Sequence, residues 1–378
     1  MRRTKIYIQA AEQISIQQPL SQQWMTDPLI HHELFVQALN PSFGDYIAPN
    51  DARRMGNLIK RALVTALKVL KDTGIEHPDA FITGTSIGSL TYTDRFIQEM
   101  VENDEQALSP TYFMQSTHNT VGSTLGIYTK SHGYNITYSH GSCSFDKALL
   151  DAWMQMNLGK INTALVSGFD EMSESYFELL KKTEHVGLEG MVPCGEVSMS
   201  MMLNTSNKAG CLCELAGIST GCFTSLEDLK EQVENMLAGA GMGIDDVNLV
   251  MTGKNGNPEN DKCYSETLQS IMPNVPQLHY KHIFGENFTS SALGVYAASH
   301  CLSQGSVPHF LYEDPGQSSP NEKIKNIILS VHVTKGVRVS APIHASQKDI
   351  EKFLRSSEDF IIKSVNFLIF QYSIMVNI

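Results

Sequence analysis

Apolar and polar positions along the chain switch period repeatedly. Residues 5–11, 80–85, 135–139, 163–168 and 197–203 form short apolar runs with the length of buried strands, and stretches of helical spacing lie between them. The clearest helix covers residues 54–70, where Leu58, Ala62, Leu63, Ala66, Leu67 and Leu70 share one face and Asp72-Thr73-Gly74 closes it. The second part of the chain repeats the plan. Strands are expected at 212–219, 247–251 and 277–280, helices at 226–237 and 290–301, and a hairpin pairing 327–333 with 337–340 around Thr334-Lys335-Gly336. This alternation predicts α/β units with about five strands in each half. The chain is accordingly divided into residues 1–205, residues 206–340 and a tail of residues 341–378 that matches neither half. Residues 360–378 are apolar enough to raise the question of a membrane span, but Lys363, Asn366, Gln371 and Asn377 interrupt them, so a tail outside any membrane is expected.

Composition narrows the class. The chain has 378 residues, 42% of them hydrophobic and 18% charged, the balance of a globular protein with a sizeable core. A formal net charge of -12 makes nucleic acid and anionic membrane unsuitable default partners. Arg53, Arg54, Lys60 and Arg61 form either a local basic patch or a solvated helix face. The seven cysteines are odd in number and scattered, which points to reduced thiols in a cytoplasmic setting rather than a disulfide framework. Cys211 and Cys213 lack a second pair at metal spacing, so no metal or other cofactor is expected. The basic residues at positions 2, 3 and 5 are not followed by a long apolar stretch, so no signal peptide is expected.

The most informative segment is Asn135-Ile-Thr-Tyr-Ser-His-Gly-Ser-Cys143-Ser-Phe-Asp-Lys-Ala-Leu-Leu-Asp-Ala-Trp-Met. A strand runs into small residues, then a cysteine, then a helix with Leu149, Ala152, Trp153 and Met156 on its apolar side. A thiol at a helix N-terminus feels the positive end of the macrodipole, which favours thiolate. Backbone amides after such a turn can also stabilise an oxyanion.

Five segments of the first half, in order, resemble the β-ketoacyl-acyl-carrier-protein synthase family of thiolase-like condensing enzymes. They are Arg53-Arg54-Met55 with the helix ending Lys71-Asp72-Thr73-Gly74; Thr83-Gly84-Thr85-Ser86-Ile87-Gly88; Ser116-Thr117-His118-Asn119-Thr120-Val121-Gly122; the turn Gly141-Ser142-Cys143-Ser144; and Ala164-Leu165-Val166-Ser167-Gly168-Phe169-Asp170. In the second half Gly256-Asn257-Pro258-Glu259-Asn260-Asp261 and Lys281-His282-Ile283-Phe284-Gly285-Glu286 match two further motifs. The resemblance covers residues 5 to 305. It implies a five-layered α/β/α/β/α fold of two related halves, an acyl carrier protein as partner, and dimerisation through the strand before the nucleophile turn, with a copy of itself or a related condensing enzyme. It also implies a Claisen condensation in fatty-acid or polyketide-type biosynthesis. A cysteine, here Cys143, takes an acyl group from a carrier thioester, and two histidines assist decarboxylation of a malonyl group.

Neither histidine is present. The first position reads Gly253 and the second Glu286. Glycine offers no side chain, and a carboxylate would repel a developing enolate. Asn255, Asn257 and Asn287 lie close in sequence as hydrogen-bond donors to a substrate, and Lys281 is placed to pair with Glu286. His118, His140 and His282 are expected to be structural. The glycine-rich loop that the family carries between its last strands is replaced by Ile328-Leu-Ser-Val-His-Val-Thr-Lys-Gly-Val-Arg-Val-Ser340. Two functions remain open: a diverged condensing enzyme or acyltransferase that loads Cys143, with Lys281 and Glu286 in its site, or a non-catalytic partner subunit of the chain-length-factor kind.

Overall fold

In the computed structural model, residues 3–183, 186–208, 210–222, 225–317, 324–334 and 369–377 are described. The first half contributes five main strands, β1 (Tyr7–Ile14), β2 (Ala80–Gly84), β3 (Tyr134–Tyr138), β4 (Thr163–Asp170) and β5 (Val197–Asn204). The second contributes β6 (Cys213–Cys222), β7 (Leu249–Thr252), β8 (Gln277–His279), β9 (Asn326–Thr334) and β10 (Ile369–Asn377). In space the first five run β3-β2-β4-β5-β1 and the second five β8-β7-β9-β10-β6. The orders are the same, and so are the directions. The first three strands of each sheet are mutually parallel, and the fourth and fifth join antiparallel. The halves are thus copies of one plan, joined where Tyr7 and Ile8 of β1 pair with Glu214 and Cys213 of β6.

Helices α1 (Asn57–Thr73), α2 (Leu90–Glu102), α3 (Pro110–Ser116), α4 (Thr120–Tyr128) and α5 (Ser144–Asn157) belong to the first half. The second half supplies α6 (Leu226–Gly239), α7 (Pro258–Ile271) and α8 (Ser291–Gln304). The burial pattern shows the layering. Ala80 and Ile82 of β2 and Ala164 and Val166 of β4 join the central core with α5 and α8, whereas Phe81 and Leu165 face α1. In the second sheet Leu249, Met251, Ile327 and Leu329 face the same central layer, while Val250 and Ile328 pack with Leu229, Val233 and Leu268 of α6 and α7. Both faces of each sheet are covered, which is why the strands read as continuous apolar runs. The result is the expected α/β/α/β/α sandwich, with α5 and α8 as its middle layer.

Two features differ from expectation. The antiparallel partner of β9 is β10, not the segment directly after Thr334-Lys335-Gly336; residues 335–340 lie outside the described residues. The second sheet therefore takes its fourth strand from beyond residue 340, and β10 sits between β9 and β6 with ladders on both edges. Arg61 is also no part of an exposed basic patch: it is buried, and its Nη1 lies 2.8 Å from the buried Glu196 carboxylate. Among the described residues no helix is long and apolar enough to cross a membrane.

Because β10 is an inner strand, its removal exposes two ladders at once. A chain ending before residue 369 is expected to lose cooperative thermal unfolding and to be cleaved rapidly by protease, and Ile374→Pro, which breaks an inner ladder, to lower stability by about 3 kcal/mol or more. A truncated chain that melts like the full one would show that β10 is dispensable.

Candidate functional site

Cys143 is the N-cap of α5, buried to 4% exposure. The turn that delivers it is tied by its own backbone and by the Ser144 hydroxyl. His140 N–H donates to Ser144 Oγ (2.9 Å), Ser144 Oγ–H donates to Gly141 O (2.6 Å), and Cys143 N–H donates to His140 O (3.3 Å). Gly141 has φ 60°, a left-handed conformation that glycine adopts without a steric penalty. Lys147 N–H to Cys143 O (3.0 Å) is a first bond of the helix. The end of β2 presses on this turn: a Cβ on Gly84 would lie 2.5 Å from Ser144 C and O. The Thr83-Gly84-Thr85 motif is thus a packing requirement of the nucleophile turn. The turn at residues 85–88 is held by Asp170 at the end of β4, whose Oδ1 accepts from Thr85 Oγ1 and the amides of Ser86, Ile87 and Gly88 at 2.8–3.2 Å. Burial pushes the Asp170 carboxyl up to about 6 against those donors.

The second-half residues form a separate cluster. Lys281 Nζ sits 2.7 and 2.9 Å from the two Glu286 carboxylate oxygens, Asn255 Nδ2 donates to Glu286 Oε2 at 2.8 Å, and Ser290 Oγ to Oε1 at 3.4 Å. The Glu286 backbone is fixed too, its N–H on Pro193 O (2.7 Å) and its C=O on Gly195 N–H (2.9 Å). Both side chains are nearly buried, at 11% and 13% exposure. A carboxylate surrounded by these donors holds the Lys281 side chain in place. The neighbouring Cys194 thiol is pushed up to about 12 by burial and by Glu286, with Lys281 opposing.

At the other histidine position the space is taken. A Cβ on Gly253 would meet the Tyr264 hydroxyl at 2.5 Å and Lys281 Cε at 3.4 Å. Tyr264, from α7, is 1% exposed and fills the volume that an imidazole would need. It is a site residue that sequence reasoning missed; its only sequence signal is an aromatic residue on the buried face of α7.

The remaining candidates make the following contacts. Asn257 Oδ1 caps α7 through the amides of Glu259 and Asn260, at 3.0 and 3.2 Å. Asn287 Oδ1 accepts from Thr289 N–H at 3.1 Å, and its buried Nδ2 has no partner among the described residues. His282 Nε2 bonds to Phe310 O at 2.9 Å, and burial lowers its pKa. His118 Nε2 reaches Ser86 O at 3.3 Å. Among the described residues no three His, Cys, Asp or Glu side chains converge as a metal site. The two halves of the site meet where Ser291 Oγ–H donates to Asp146 Oδ2 at 3.3 Å, linking the first turn of α5 to the start of α8.

A cysteine delivered by a strand-turn-helix into the middle layer of two copied halves defines a thiolase-like protein of the ketosynthase type. Residues 22–226, more than half of the chain, match the β-ketoacyl synthase N-terminal domain, and the chain belongs to that family. No curated protein matches it. Among solved structures it is similar to the ishigamide ketosynthase/chain length factor (TM-score 0.74, 14% identity, covering 100% of this chain and 99% of that one). It is also similar to a ketosynthase (ApeO) in complex with its chain length factor (ApeC) from Xenorhabdus doucetiae (TM-score 0.72, 15% identity, 99% and 98% covered). A third is a type II polyketide acyl-carrier protein in complex with its ketosynthase bound to the hexaketide (TM-score 0.68, 11% identity, 99% of each chain covered). At these identities the likeness is one of fold.

The packing at Gly253 gives a direct test. Gly253→His is expected to lower stability by about 1–3 kcal/mol through overpacking against Tyr264, and Tyr264→Ala added to it to recover part of the loss because the imidazole fills the emptied volume. Thermal melts of the two variants would show this; a single variant as stable as the parent would mean that the Tyr264 ring moves aside.

Proposed function

We propose that this protein is a partner subunit of the chain-length-factor kind in a ketosynthase pair, serving carrier-bound polyketide or fatty-acid type biosynthesis in the cytoplasm. One observation carries the reading: the chamber where two imidazoles would work is filled by Tyr264 and by the locked Lys281–Glu286–Asn255 cluster. Each missing transition-state hydrogen bond removes about 3 kcal/mol or more, roughly a hundredfold or more in rate, and groups that act as a unit do not add simply. Decarboxylative condensation is then left to a histidine-bearing ketosynthase, with which the chain shares an acyl carrier protein.

The surface supports a partner. Strand β3 is at the end of the sheet order, with Tyr134 and Asn135 exposed. Helix α4 packs on it and α3 and α2 follow in turn, and these helices expose Ile97, Val101, Phe113, Met114 and Ile127. A related subunit adding its own β3 across this edge would cover both. A second reading, acyl loading on Cys143, is favoured by the intact turn and helix start around that thiol.

The experiment combines the purified chain with a ketosynthase from the same genome that carries both histidines, plus acyl- and malonyl-carrier thioesters. Carbon dioxide release is expected only from the pair, and to survive Cys143→Ala in this chain; condensation by this chain alone would refute the reading. Intact mass after exposure to the acyl-carrier thioester decides the second reading, since loading adds the acyl mass to Cys143. For the surface, Val101→Asp with Ile127→Asp is expected to shift the assembly to monomer in light scattering while leaving the melting temperature of the monomer little changed. Unaltered association would place the interface elsewhere.

A further inference from the structure

One turn into α5 stands a carboxyl that the proposed function does not use. Cys143 is the N-cap and Asp146 the third helical residue. Residues three apart along a helix are neighbours on one side of it, with Cβ atoms about 5–6 Å apart. Asp146 is completely buried. Its Oδ2 accepts from Ser291 at 3.3 Å, and among the described residues its Oδ1 has no hydrogen-bond partner. Burial pushes the carboxyl up to about 7, against the Ser291 bond, its own amide and the charge of Lys147. The other titratable groups on the elements packed about it are Tyr280, whose hydroxyl is held un-ionised first by burial and then by Tyr264, Glu286 and Asp146, and Asp170 on β4, already bound to the 85–88 turn. Lys147 on its own helix supplies the countercharge.

We infer that Asp146 sets the charge state of Cys143: ionised, it holds the sulfur as a thiol; neutral, it leaves the helix start free to favour thiolate. A full negative charge at this separation in a protein interior outweighs the half-charge of the helix terminus and disfavours a second anion by about tenfold or more. Ser291 then acts as the adjuster, because its hydrogen bond stabilises the carboxylate. Since Ser291 begins α8, the second half of the fold reaches the cysteine of the first through one hydroxyl. The inference rests on Cys143 being the residue of the nucleophile turn, and it adds a regulation to that site. The thiol is damped as pH rises through neutrality, which suits a subunit that leaves acyl transfer to its partner.

The test is the rate of Cys143 alkylation by iodoacetamide from pH 6 to pH 9, read by intact mass and peptide mapping. Wild type and Asp146→Asn are expected to react alike at pH 6, where the carboxyl is neutral. At pH 8.5 Asp146→Asn is expected to react about tenfold faster. Ser291→Ala should move the bend in the wild-type curve to higher pH, and this arm stands even if Asp146→Asn does not fold. Parallel curves for wild type and Asp146→Asn, or a Ser291→Ala curve with an unshifted bend, would overturn the inference. Alkylation needs neither carrier nor partner subunit, so its failure leaves the partner-subunit reading untouched, and the failure of that reading leaves these curves unaffected.

Discussion

The seating of α5 between the first sheet and α8 is the constraint on which the rest of the molecule depends. A Cβ on Gly84 would strike the Ser144 carbonyl at 2.5 Å, and one on Gly168 would lie 2.9 Å from both Phe145 Cδ2 and the Ala292 methyl. The sheet, the nucleophile helix and α8 therefore touch at van der Waals distance through missing side chains. Ala148, Ala152, Ala292, Ala297 and Ala298 keep the same layer thin farther along. A close-packed interior transmits any displacement. A methyl group at Gly84 would move the turn carrying Cys143 and, through Phe145 and Ala292, the seam between the halves.

That dependence explains what was readable in the chain. The strand runs, the helix from residue 57 and the ordered glycine motifs were legible because each records a local demand: two covered sheet faces, one apolar helix stripe, or a backbone that must pass close to another. The pairing of β9 was not legible, because β10 comes from a distant segment and strand patterns carry no label for their partner. Arg61 was misread for a similar reason. Its helix position looks solvated, and only the arrival of Glu196 from the far end of the half makes its burial affordable. At the site, Gly253 and Glu286 stood out in the sequence as the positions where the resemblance to the family breaks. That Tyr264 occupies the volume beside Gly253 was hidden, since it depends on how α7 sits against the end of β7.

The two halves of the site have departed from the family pattern to different degrees, and the physics of each explains the difference. The Cys143 turn is built from backbone bonds, the Ser144 hydroxyl and glycines, so most side-chain changes there would clash with β2 or undo the turn. Positions 253 and 286 are governed instead by the volume and charge around them. Tyr264 supplies the volume. Glu286 supplies the charge. With Lys281 nearly buried, an uncharged residue at 286 would leave an unpaired ammonium, a defect that costs about 3–5 kcal/mol, whereas a carboxylate at 2.7 Å satisfies it. Asn255 then finishes the cluster by donating to the same oxygen that Lys281 holds closest. An acidic residue at position 286 is therefore what the nearly buried Lys281 requires. The pair keeps this part of the core free of an uncompensated charge.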